Sequence, residues 1–166
     1  MKTEISDWNN NGVKLIKLQS DSLEVHLLSL GATIHSVIYP GAEEDLATRD
    51  VVLGFDSEAG YDGTDNPFFW GTTGRFTNRC QASMYFSKDK LYFVRIKDGK
   101  FQIDGLTYSL STNDFGNNLK HHLHGGVRSY DRINWDTELL DSGDGVVFSI
   151  LDPHGAEVRG KAVLEN

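Results

Sequence analysis

The sequence is poor in cysteine, proline, positive charge and long apolar runs, and each shortage excludes something. Its single cysteine, Cys80, has no internal partner, so nothing points to an oxidising compartment. Sixteen basic residues face 24 acidic ones, a formal charge of -8. That balance argues against a nucleic-acid or anionic-membrane partner, since both require a basic face. No apolar run approaches the roughly 18 residues needed to span a bilayer, and the start, Met1-Lys2-Thr3-Glu4-Ile5-Ser6-Asp7, has no apolar signal region. The expectation is a soluble, cytoplasmic protein. A helical apolar period sustained over three turns is also missing.

What is present suits strands. Seventeen glycines against three prolines supply many tight turns between short strands. A chain of 166 residues is long enough for one domain with a real core. Residues 13–18 read as a first strand and residues 19–22 as a polar turn. Leu23, Val25 and Leu27 then alternate with Glu24, His26 and Leu28, the period of a strand with one buried face. Gly31 interrupts, and residues 32–39 form a third strand ending at Pro40-Gly41. Residues 43–48 read as an exposed loop, and residues 50–55 as a short buried strand with a glycine turn. Further on, residues 91–96 are good strand sequence and Asp98-Gly99 a good turn. The fold class predicted is all-β, an antiparallel β-sandwich, without internal repeats or linkers.

Three stretches carry candidate chemistry. Residues 60–71 are loop-like and rich in aromatic rings. Such rings suit the apolar C–H face of a sugar, although any single ring reads more readily as core filling. Residues 71–79 place Asn78 and Arg79 side by side, a fork of donors beside a group that donates and accepts, which matches several hydroxyls at once. A surface arginine beside a turn asparagine gives the same pattern. Residues 117–131 set His121, His122 and His124 before Gly125-Gly126, then Arg128 and Asp131. A glycine pair permits positive φ and close approach to a ligand, and an imidazole at a pocket wall changes charge near neutral pH. The bland alternative is a polar loop with solvated histidines. If that loop is extended, His122 and His124 point to one side, but a metal site needs three or four ligands and no further cluster is visible. No metal is expected.

The segments Gly31-Ala32-Thr33-Ile34, Asp50-Val51-Val52-Leu53-Gly54-Phe55-Asp56, Gly74-Arg75-Phe76-Thr77-Asn78-Arg79, Leu123-His124-Gly125-Gly126 and Tyr130-Asp131-Arg132-Ile133-Asn134-Trp135 occur in this order. Together they resemble the amino-terminal half of the aldose 1-epimerases, the galactose mutarotases, from about residue 13 to about residue 155. The resemblance implies a galactose mutarotase-like supersandwich with a sugar cleft and no cofactor. Asn78 and Arg79 then take substrate-binding positions, His124 takes that of the first active-site histidine, and Arg75 is structural.

Two departures from the family pattern shape the expectation. Residues 80–95 intervene where the family runs almost directly on, so they read as an insertion in a single partial domain spanning residues 1–166, either a retained intron or an extra hairpin. The family also continues for roughly as much chain again, supplying a second histidine, an aspartate and the glutamate base. Glu138, Glu157 and Glu165 sit in nothing like that motif. The implied function is interconversion of the α and β anomers of a hexose such as galactose or glucose, with this chain truncated and its sheet edges open to self-association. The alternatives are a non-catalytic carbohydrate-binding remnant, a hexose-6-phosphate epimerase relative, which the sparse arginines disfavour, and a structural protein without a ligand.

Overall fold

The computed structural model of the chain describes residues 2–39, 49–62, 96–113, 120–123, 126, 129–151 and 157–163. It divides into two compact units, Met1–Gly71 with Arg132–Asn166, and Thr72–Asp131.

In the first unit a five-stranded antiparallel sheet follows chain order: β1 (Lys2–Trp8), β2 (Val13–Gln19), β3 (Glu24–Leu28), β4 (Thr33–Tyr39) and β5 (Arg49–Asp50). The register sets Ile5 opposite Ile16, Ile16 opposite Leu27 and Leu27 opposite Ile34. One apolar row thus crosses four strands, and cross-strand neighbours of this kind stabilise a sheet. Its centre is closed to solvent, with Ile16 at 0% exposure, while Ile5 and Ile34 at the flanks are open.

The alternation read in residues 23–28 holds along β3, but its second face is not open at the end. Leu27 and Leu28 pair in register with Ile16 and Leu15, so they point to opposite faces, and both are buried. The irregularity in the β3–β4 pairing passes over His35, so the extra residue of this β-bulge lies on β4. Leu28 joins Trp8, Val13, Leu30 and Tyr61 in a core cluster, with Leu15 and Phe55 packed against it.

The expected buried strand at residues 50–55 is corrected. Only Asp50 continues the pairing begun at Arg49, and Val51 and Leu53 are exposed at 66% and 74%. Asp50 turns the chain instead, because its Oδ1 accepts from the Val37 and Val52 N–H groups at 3.1 and 3.0 Å. The first strand, β1, was not expected. Of its seven residues only Trp8 is buried, so the apolar alternation that marks a strand is missing.

Helix is confined, among the described residues, to α1 (Glu58–Asp62) and short 3₁₀ turns such as Tyr130–Arg132. No helix among them is long and apolar enough to cross a membrane.

The same unit holds a second sheet whose strands are numbered after those of the other unit: β10 (Asp136–Leu139), β11 (Gly145–Leu151) and β12 (Glu157–Val163), all antiparallel. Central β11 buries Val146, Val147, Phe148 and Ile150, as a strand covered on both faces does. Backbone bonds tie this part to the β3–β4 turn: Gly31 N–H donates to Ile133 O and Trp135 N–H to Ser29 O, both at 2.8 Å.

The second unit contains β6 (Ile96–Lys97) paired with β9 (His121–His122), and the hairpin β7 (Lys100–Ile103) with β8 (Leu106–Ser109). The predicted Asp98-Gly99 turn is present, with φ of 54° and 61°. Asp104 and Gly105, at φ of 50° and 79°, close the β7–β8 hairpin in the two-residue geometry that favours this pair.

Candidate functional site

Asn78, Arg79 and His124 lie outside the described residues, as do Arg75, residues 80–95 and residues 63–71 of the aromatic stretch. The described residues give the frame on either side of His124.

β9 brings the chain to Leu123, and residues 111–113 grip it there. Asn113 Oδ1 accepts from Leu123 N–H at 2.8 Å, and Asn113 Nδ2 donates to Leu123 O at 2.9 Å. Asn113 N–H also donates to His121 O at 2.9 Å. A side-chain amide offers one acceptor and one donor side, so Asn113 satisfies both backbone groups of Leu123 as a paired strand would. Gly126 N–H donates back to Leu123 O at 2.9 Å. Gly126 has φ of 88°, and a Cβ there would stand 2.6 Å from Ser111 Oγ and 2.9 Å from His122 Cε1. Only glycine fits both demands.

The neighbouring histidines differ. His122 is 2% exposed, and its Nδ1–H donates to Ser111 O at 2.7 Å, so its ring is a core element fixed against residues 111–113. His121, one residue earlier, is half-buried. No group of three or more His, Cys, Asp or Glu side chains among the described residues is placed to hold a metal. In the same unit Ser129 and Asp131 are both buried, and the Ser129 hydroxyl donates to Asp131 Oδ1.

In the first unit, Tyr61 is the one residue of the aromatic stretch whose surroundings are best described, and it fills core. It is 3% exposed and packs edge-on against Phe55 and Trp8, with ring centroids 5.2 and 6.0 Å away. Its hydroxyl accepts from Phe55 N–H at 3.2 Å and lies 2.8 Å from His35 Nδ1. Burial pushes the His35 pKa down, and nearby His26 adds to this against the opposing pull of Asp50 and Asp56. Burial likewise pushes the Tyr61 hydroxyl up. With His35 neutral and its Nδ1 bare, the Tyr61 hydroxyl donates a hydrogen bond to Nδ1 while accepting from Phe55 N–H. Asp50 is partly desolvated, which raises its pKa, yet bonds from Val52 N–H, the Ser36 hydroxyl and Val37 N–H leave it lowered.

The sequence reading missed Asn113 and Ser111. Their partners lie about ten residues further on, and no local spacing signals such a pairing. The Asp104-Gly105 pair, in contrast, is a turn signal in plain view.

The family model for aldose 1-epimerase matches residues 89–159, a span that includes His124 but not Asn78 or Arg79. Galactose mutarotase of Bos taurus is 34% identical over 145 residues, covering 87% of this chain and 35% of that protein. Among solved structures, an aldose epimerase homologue from C. elegans is 25% identical with a TM-score of 0.61, over 84% of this chain and 36% of that one. Galactose 1-epimerase from Lactobacillus acidophilus is 22% identical with a TM-score of 0.65, over 92% and 39%, a likeness of fold. The chain therefore spans a little over a third of the length of each of these three proteins. Its antiparallel all-β fold is of the galactose mutarotase type, and over this stretch the chain matches the aldose 1-epimerase family.

Proposed function

We propose that this chain recognises a hexose such as galactose or glucose and contributes to interconversion of its α and β anomers. Mutarotation opens the ring at the hemiacetal: a base takes the proton of the C1 hydroxyl while an acid protonates the ring oxygen. Rotation about C1–C2 then offers the other face of the aldehyde to the returning oxygen. Proton transfers between positioned groups suffice, each contributing of order 100- to 10,000-fold. In this reading His124 hydrogen-bonds at the ring oxygen, and Asn78 and Arg79 hold the sugar hydroxyls, supplying orientation. Supporting it most is the 34% identity with a galactose mutarotase along 145 residues.

The acidic balance and single cysteine support a cytoplasmic setting. Residues 80–95 are retained as an insertion within one partial domain, and among the described residues β1, β5, β10 and β12 are the outermost strands of their sheets, which supports self-association.

Polarimetry of fresh α-D-galactose tests the reading, with the 166-residue chain and its His124→Ala variant. A rate above the spontaneous one, lost in the variant, is expected if the acid–base machinery is complete in this chain. Saturable galactose binding without excess rate indicates the alternative, a carbohydrate-binding remnant. Neither rate nor binding rejects both.

A further inference from the structure

We propose that Asn113 is a positioning residue for the sugar site, acting through the backbone of Leu123 to set how His124 is presented. This rests on the assignment of His124 above. Both backbone groups of Leu123 are held by one side chain, at 2.8 and 2.9 Å, and the backbone of Asn113 holds His121 O at 2.9 Å. His122 between them is held by Ser111 O at 2.7 Å. Three successive residues before His124 are thus tied to one three-residue segment, while β6 pairs with His121 and His122.

Asparagine is singular at this position. Aspartate keeps the acceptor for Leu123 N–H but turns a second carboxylate oxygen toward Leu123 O, where a donor is needed. Alanine removes both bonds and leaves two half-buried backbone groups to find water. Small misplacements at a reacting centre weaken function steeply, of order 100-fold for about 1 Å. A bidentate clamp one residue away from an active imidazole is a device against such misplacement.

The test is imidazole NMR of the full chain with isotope-labelled histidine, which gives six ring signals. Wild type, Asn113→Ala and Asn113→Asp are compared without sugar, across pH, and during titration with D-galactose. The expected result is a moved sugar-free signal and an altered pH titration for His124 in Asn113→Ala, with those of His26 and His35 in place. Galactose affinity is expected to fall about tenfold, the equivalent of one lost hydrogen bond, with Asn113→Asp between the two. An unchanged His124 signal with an unchanged galactose titration overturns the proposal. If the wild-type His124 signal ignores galactose, the hexose reading fails, and positioning is then decided by the sugar-free spectra alone. If Asn113→Ala fails to fold, Asn113→Asp carries the comparison. If both fail to fold, Asn113 is purely structural and the proposal is wrong.

Discussion

Tyr61→Phe isolates a single polar contribution to the core of the first unit. The ring and its edge-on contacts with Phe55 and Trp8 survive the change, so little apolar burial is lost. What goes is the hydroxyl 2.8 Å from His35 Nδ1 and 3.2 Å from Phe55 N. Two groups inside a partly desolvated cluster then lose a partner, and water has little access, since Tyr61 is 3% exposed. Leaving a buried polar group unsatisfied costs about 1–3 kcal/mol. For a chain of this size roughly 2–4 °C of Tm follow each kcal/mol, so a fall of about 3–10 °C is expected in a thermal melt at pH 7.5. The pH dependence supplies a second reading. Burial depresses the His35 pKa in the folded chain, so between that value and about 6.5, where an unfolded histidine titrates, the unfolded state binds the extra proton. The stabilisation is therefore complete above about pH 6.5 and is lost as pH falls toward the folded pKa. His35→Gln is expected to flatten that part of the stability–pH curve. A Tyr61→Phe chain within about 0.5 kcal/mol of wild type in urea unfolding refutes the argument, because it means the hydroxyl is not holding the cluster.

Other perturbations probe other parts of the chain. Ile16→Ala, at the closed centre of the cross-strand row, is expected to cost about 2–5 kcal/mol in denaturant unfolding, whereas Leu53→Ser, at 74% exposure, stays within about 0.5 kcal/mol. Equal effects of the two would contradict the description of residues 50–55. Gly126→Ala is expected to cost about 1–3 kcal/mol, because φ is 88° and the added Cβ meets Ser111 Oγ at 2.6 Å; an unaltered melt contradicts it. The outermost strands among the described residues are expected to make the chain self-associate, seen as a concentration-dependent sedimentation coefficient. A monomer at all concentrations rejects that expectation.

How much of this was legible in the sequence varied with the physics of each segment. β2, β3 and β4 were readable because apolar residues there repeat with the sheet period and glycine or serine clusters bound them. β1 was not, because Lys2, Glu4, Ser6 and Asp7 are exposed and leave no apolar face to mark it. Leu28 was misplaced because the second face of β3 is covered there by Trp8, Val13, Leu30 and Tyr61, a tertiary cluster with no local signature. Val51, Val52 and Leu53 look like core by composition, yet Asp50 binds backbone N–H groups on both sides of itself and diverts the chain. Asn78, Arg79 and His124 were proposed only from motifs in register, and they lie outside the described residues. The clamp by Asn113 was invisible, since it joins positions ten apart through a side chain.

The central claim is that Asn78, Arg79 and His124 form a hexose site, and calorimetric titration of the 166-residue chain with D-galactose tests it most directly. The account predicts saturable binding that Arg79→Ala and His124→Ala each weaken strongly while the melts of both variants match wild type. Binding that is absent, or equally strong in the folded variants, contradicts it.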